Sequence, residues 1–248
     1  MGILNVTPDS FADGGKHNDF ESAVARGLEM IAEGVDIIDI GGESTRPGAD
    51  RVSEVEEIAR TIPVIKELAK HGVQISIDTM RASTANAAID AGASIINDVS
   101  GGLADPLMLQ TAAALKVPYI AMHWRGQSKD MNSKAIYGDV VSDVISELQE
   151  RIDAALDAGI AKDNLIIDPG LGFAKDADHN WAIIDAMDQF VAMGYPVLVG
   201  ASRKRFLGGD SPDEREQATI NLTKRLAPTG VWAVRVHSVK PHKEVLSV

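Results

Sequence analysis

Eight short runs of β-branched or aliphatic residues punctuate the chain, at 2–6, 35–40, 73–77, 93–96, 117–122, 165–167, 197–199 and 231–236. Helical periodicity fills the gaps between them. Phe20, Val24, Leu28 and Ile31 recur three or four residues apart, as do Val140, Val144, Leu148, Ile152 and Leu156, so each set marks one apolar stripe on a helix. Ser53 and Glu56 have capping-box spacing at the start of the second helical stretch. Gly34, Gly72, Gly92, Gly159, Gly194 and Gly230 each fall just before a strand, where a helix C-cap belongs. Strict strand–helix alternation implies a parallel sheet. Eight such units in 248 residues predict a closed α/β (β/α)8 TIM barrel rather than an open doubly wound sheet, with 1–248 as a single domain.

Charge and composition remove several functions. Lys and Arg number 24 against 36 Asp and Glu, for a formal net charge of -12, so no nucleic-acid partner is expected. Any anion must be met by a local basic cluster. The absence of cysteine excludes disulfides, thiolate catalysis and Cys-ligated zinc, and the six histidines show no HExxH spacing. No apolar run approaches the roughly 20 residues that cross a bilayer, so no membrane partner and a cytoplasmic location are expected.

In a barrel of this kind the active site lies at the C-terminal rim of the strands. The eight strand ends carry Asn5, Asp39 before GGESTRPG, Asp78 in SIDT, Asn97 in INDVSGG, His123 in AMHWRG, Asp168 in DPGLGF, Ser202, Arg203 and Lys204 in GASRKRFLG, and Arg235 with His237 in RVH. One such polar residue is as readily a helix cap or turn former. Eight in a row point to a binding rim.

Arg235 and His237 share one face of their strand, and a cation pair in a barrel mouth calls for an anion. A rim carboxylate such as Asp39 or Asp78 would also satisfy Arg235. Asp78, Asn97 and Asp168 offer two carboxylates and a carboxamide that suit the edge of a flat, donor-rich heterocycle. Two carboxylates equally suit a metal or acid–base chemistry. Met122 and Phe173 are candidate apolar walls, although core packing would explain either alone.

The motifs MGILNVTPDSFADGG, DIGGESTRPGA, SIDT, INDVSGG, DPGLGF, GASRKRFLG and RVH occur in the order of the dihydropteroate synthase family, which the chain resembles from residue 1 to about 239. The resemblance implies a TIM barrel that condenses 6-hydroxymethyl-7,8-dihydropterin diphosphate with p-aminobenzoate. The products are pyrophosphate and 7,8-dihydropteroate, and sulfonamides mimic the arylamine. It assigns Asp78, Asn97, Asp168 and Lys204 to the pterin, with Met122 and Phe173 lining the slot. Asn5, Arg235 and His237 fall to the diphosphate, Asn5 through a Mg²⁺ that the diphosphate carries, with Arg46 closing over it. Thr45, Pro47, Ser202, Phe11 and Lys204 fall to p-aminobenzoate. Loops hinged at Gly14, Gly15, Gly41, Gly42 and Gly48 would exclude water. A homodimer is implied as well.

Two positions depart from the family pattern. Ser238 stands where Asp commonly follows RVH, and Arg215-Glu216 stands where an RD pair commonly precedes the Ala218-Thr219 step. Two other functions share the fold. A pterin-binding paralogue without turnover would retain the slot, and a methyltetrahydrofolate-binding methyltransferase domain would need no diphosphate cluster.

Overall fold

The computed structural model describes residues 1–7, 16–43, 51–126 and 131–247. Eight strands follow the expected order: β1 (Gly2–Asn5), β2 (Ile37–Gly41), β3 (Gln74–Asp78), β4 (Ile95–Asp98), β5 (Tyr119–Met122), β6 (Leu165–Asp168), β7 (Leu198–Val199) and β8 (Ala233–Val234). The helices between and after them are α1 (Lys16–Ala32), α2 (Glu54–Leu68), α3 (Ala82–Asp90), α4 (Met108–Leu115), α5 (Val140–Asp157), α6 (Ala177–Asp185), α7 (Met187–Val191), α8 (Glu214–Leu226) and α9 (Lys240–Leu246).

Strands β1 to β6 pair in sequence order, all parallel, and β7 pairs with β8. Two parallel bridges, Ile167 to Val197 and Gly2 to Val236, join these sheets into a ring. The closing seam is carried by Ile3 N–H to Val236 O at 2.8 Å and Val236 N–H to Met1 O at 2.9 Å. The chain therefore forms the expected TIM barrel. The last two strands are shorter than their apolar runs, yet Trp232 and Arg235 still donate to Val197 O and Val199 O at 2.9 Å each.

Strand parity sorts the core into two layers. Ile38, Ile40, Ile75, Ile77, Ile96, Leu165 and Ile167 face outward onto the helices. Met1, Ile37, Ile95, Ile120, Ile166 and Leu198 face inward and plug the barrel. Each fully buried aliphatic side chain contributes roughly 1.5–3 kcal/mol. Above Ile37, Ile95 and Ile166 of that inner plug, the next inward positions are the polar rim residues Asp39, Asn97 and Asp168.

The helix punctuation forms as the pattern predicts. Ser53 Oγ accepts from Glu56 N–H at 3.2 Å, and the six pre-strand glycines adopt φ between +74° and +114°. The α1 stripe is rotated from its expected line. Leu28 is exposed, whereas Ala23 and Met30 are buried. Small residues decide this, since a Cβ at Gly27 would lie 2.5 Å from Leu68 Cδ1 of α2 and hold the two helices apart. Among the described residues, no helix is long and apolar enough to cross a membrane.

Candidate active site

Parity carries one side chain from each of six strand ends into the barrel mouth. Asp39, Asp78, Asn97, Met122, Asp168 and Arg235 all occupy inward positions, and the pairing sets Gly41 beside Asp78, Asp78 beside Asn97, and Met122 beside Asp168. Asp39 from β2, Asn97 from β4 and Arg235 beyond β8 form one hydrogen-bonded layer. Asn97 Nδ2 and Arg235 Nε both donate to Asp39 Oδ2, at 3.1 and 2.6 Å. Residues from alternate strands meeting in one layer is the packing rule of this barrel.

Arg235 also reaches upward, its NH2 lying 2.7 Å from Asp78 Oδ2. The guanidinium thus holds two carboxylates at once, so the rim-carboxylate pairing for Arg235 is realised on both expected partners. Burial alone would lower Arg235, but Asp39 and then Asp78 reverse this and raise it above its ordinary value. For Asp78 burial wins over the guanidinium and pushes the carboxyl up to about 7. Asp168 is raised too, by burial, against the pull of the Gly170 N–H that donates to its Oδ1 at 2.7 Å. The charges are dense in a dry mouth, and their protonation responds to whatever enters.

Lys204, in the loop after β7, brings a further cation within the influence of Asp168, Arg235 and Asp78. Its ammonium donates to Leu171 O and lies 4.5 Å from the centroid of the Phe173 ring. Burial lowers Lys204 to about 8, with Asp168 opposing. Gly172 makes this approach possible, because a Cβ there would stand 2.7 Å from Lys204 Cδ. Met122 and Phe173 belong to one apolar cluster with Met80, Val99 and Trp124, so the walls meet each other rather than dissolving into the main core.

Beside the slot, His237 Nδ1 lies 2.9 Å from Ser202 Oγ, and its backbone N–H donates to the same oxygen at 3.2 Å. Asn5 ends β1 next to Gly41. Among the described residues no three His, Asp or Glu side chains converge as a metal site. Phe11, Thr45, Arg46 and Pro47 lie outside the described residues, as do Gly14, Gly15 and Gly48.

The chain has close counterparts among known proteins. A family model described as pterin binding enzyme matches residues 1–237. The dihydropteroate synthase of Mycobacterium leprae is 49% identical over 258 residues, covering 100% of this chain and 91% of the relative. The chain belongs to the dihydropteroate synthase family. Among solved family members, the Xanthomonas albilineans dihydropteroate synthase with 4-aminobenzoic acid superposes with a TM-score of 0.94 at 43% identity, covering 100% of this chain and 90% of that one. The same enzyme in complex with 7,8-dihydropteroate gives 0.90 at 40%, with the same coverage.

Within this dihydropteroate synthase fold, one rim residue leaves the mouth. His123 follows inward-facing Met122, so parity turns it outward, where Nε2 meets Glu147 Oε2 of α5 at 2.9 Å. Asp39 was legible as a rim acid, but its place beneath Arg235 and Asn97 emerges only when three strands are superposed in one layer. The two family departures meet at a single side chain. Arg203 Nε pairs with Glu216 at 2.6 Å, and Arg203 NH2 donates to Ser238 Oγ at 2.9 Å.

Proposed function

We propose that this chain joins p-aminobenzoate to 6-hydroxymethyl-7,8-dihydropterin diphosphate, forming 7,8-dihydropteroate and pyrophosphate. The supporting observation is the layered mouth in which Arg235 bridges Asp39 and Asp78 while Lys204 lies over the Phe173 ring. An acidic, apolar-walled slot adjoins a basic corner, as a flat heterocycle with a phosphorylated tail requires.

In this reading Asp78, Asn97 and Asp168 take the polar edge of the pterin, Lys204 takes an acceptor on that edge, and Met122 and Phe173 cover its faces. Arg235 and His237 hold the diphosphate, and Ser202 borders the p-aminobenzoate position. Phe11, Thr45, Arg46 and Pro47 are assigned to the arylamine and diphosphate by resemblance alone.

The bond between the pterin methylene carbon and the diphosphate oxygen breaks, with its electron pair leaving on the diphosphate. Arg235 and His237 stabilise that negative charge, while the Asp78 carboxylate favours the cation spread over the ring. The arylamine nitrogen then forms the new C–N bond and releases a proton. No side-chain nucleophile takes part. A Mg²⁺ ion would be held by the Asn5 carboxamide, a sparse donor set that suits an ion arriving on diphosphate oxygens. When bound it supplies charge neutralisation at the leaving group.

The further expectations are a cytoplasmic homodimer and competition between sulfonamides and p-aminobenzoate. The deciding assay is pyrophosphate release from the pterin diphosphate with Mg²⁺ present. Release that requires p-aminobenzoate supports the synthase. Folded protein that binds the pterin diphosphate yet releases none would instead be the pterin-binding paralogue.

A further inference from the structure

Among the described residues outside the slot, Lys175, which follows the turn at 170–173, is buried, and burial lowers its ammonium to about 7 against the pull of Asp168. Its ammonium has three N–H groups and three acceptors: His123 Nδ1 at 2.8 Å, Gly170 O at 3.1 Å and Phe173 O at 3.1 Å. Donating to Nδ1 requires that nitrogen to be bare, which places the His123 proton on Nε2, facing Glu147. Arg125 braces the same carboxylate through Nε at 3.0 Å and stacks on Tyr137, whose hydroxyl donates to Ala174 O at 2.9 Å. The chain Glu147, His123, Lys175 therefore runs from α5 inward and ends on two backbone carbonyls.

Those carbonyls belong to the turn that shapes the slot's wall. Between them lie Leu171, whose carbonyl receives Lys204, and Gly172, against which the Lys204 stem packs. Phe173 supplies the ring beneath the Lys204 ammonium. The turn's other restraints are the Leu171 side chain, fully buried in the main core, and the bonds of Phe173 N–H to Gly170 O at 3.1 Å, Gly170 N–H to Asp168, and Gly172 N–H to Asn180 Oδ1 at 2.6 Å.

We propose that Lys175 is a positioning residue for pterin diphosphate use, fixing the 170–173 turn so that the Leu171 carbonyl and the Phe173 ring hold Lys204 at the slot. The proposal rests on the pterin reading of the slot and adds a residue that touches no substrate. Its energetic logic is saturation: each donor of the buried ammonium has a partner, so removing it takes the Lys175 donor from Phe173 O and leaves Gly170 O with the Phe173 N–H alone.

A double-mutant cycle tests it. Lys175→Met should raise KM for the pterin diphosphate by about tenfold or more with kcat within about threefold. In a Lys204→Met background the same change should alter KM by less than about threefold, because the residue through which it acts is gone. A KM in folded Lys175→Met within about twofold of the parent, or an equal loss in both backgrounds, overturns the proposal.

Should Lys175→Met fail to fold, the parent protein still decides through ¹⁵N NMR of His123. Because the Glu147 carboxylate already favours protonated Nε2, the supporting result is a bare Nδ1 whose ¹⁵N shift shows that it accepts a hydrogen bond, whereas a protonated Nδ1, or a bare one without that bond, overturns the proposal, since Lys175 would not then donate there. A parent that uses no pterin diphosphate at all refutes the slot reading, an outcome to which the His123 tautomer is indifferent.

Discussion

Arg235 Nε lies 2.6 Å from Asp39 Oδ2 while its NH2 lies 2.7 Å from Asp78 Oδ2, so one guanidinium bonds two carboxylates from adjacent strands. Asp39 is fully buried at the mouth's floor and Asp78 stands at its wall. The pairing makes Arg235 both a candidate diphosphate ligand and the restraint on the ring-binding acid.

Arg235→Ala should therefore harm both halves of the substrate unequally. Truncating one partner of a buried charge pair costs about 2–5 kcal/mol, so kcat/KM for the pterin diphosphate should fall by roughly 30-fold to several-thousand-fold. A diphosphate-free pterin meets only the displaced Asp78, and its affinity should fall less than about tenfold. Parallel titrations of the two ligands check this. Equal losses would count against a diphosphate role for Arg235.

Lys204 sets an alkaline limit. Burial lowers it to about 8, so the ammonium is present below that pH and lost as the pH rises through it. Affinity for the pterin diphosphate should weaken over the same interval. Lys204→Arg keeps its charge far above pH 8 and should flatten the alkaline limb even where absolute affinity drops. A binding profile measured from pH 6 to pH 10 distinguishes the two shapes.

His123 predicts an acid limit to stability. Burial, then Lys175, lowers it to about 4 from an ordinary value near 6.5, against the pull of Glu147, while the charges facing it are Lys175, Glu147 and Arg125. The unfolded chain then binds a proton between those values that the folded chain does not, so stability rises with pH across the window and falls as pH drops from 6.5 to 4. A full shift of this size corresponds to about 3 kcal/mol. Glu147, held down to about 2 by His123, adds loss of the same sign at lower pH. Urea unfolding of the parent and His123→Gln at pH 4, 5, 6 and 7 should show a shallower slope in the variant.

The barrel was legible because its signals are local and repeated: apolar runs, helical spacing, and a glycine before most strands. Strand parity was legible for the same reason, and it assigns Asp78, Asn97, Asp168 and Arg235 to the mouth from their own neighbours. What the sequence could not display is who shares a layer. Asp39 and Asn97 are separated by 58 positions and Asp39 and Arg235 by 196, and they meet only through strand stagger around the closed ring. His123 illustrates the opposite limit. It stands in a rim motif, yet Met122 had already taken the inward position. Lys175 carried no signal, because its role depends on a carbonyl pair and a histidine 52 positions away.

The meeting of both family departures at Arg203 yields a stability prediction. Arg203 adopts φ +58° between Ser202 and Lys204, a conformation that non-glycine residues disfavour. It is held by Glu216, by Ser238 Oγ and by Thr219 Oγ1, which accepts from its N–H at 3.1 Å. Glu216→Ala removes the shorter of the two Arg203 ion pairs, leaving exposed Asp213 at 3.9 Å, and should cost about 1–3 kcal/mol, with kcat/KM reduced as Ser202 and Lys204 lose their shared anchor. Ser238→Asp restores a carboxylate where the family commonly has one. In the Glu216→Ala background it should recover part of the lost thermal stability, whereas in the parent it should change little because Arg203 is already paired. Thermal melts of the two singles and the double check this. An equal gain from Ser238→Asp in both backgrounds would mean that the two positions do not share Arg203 in solution.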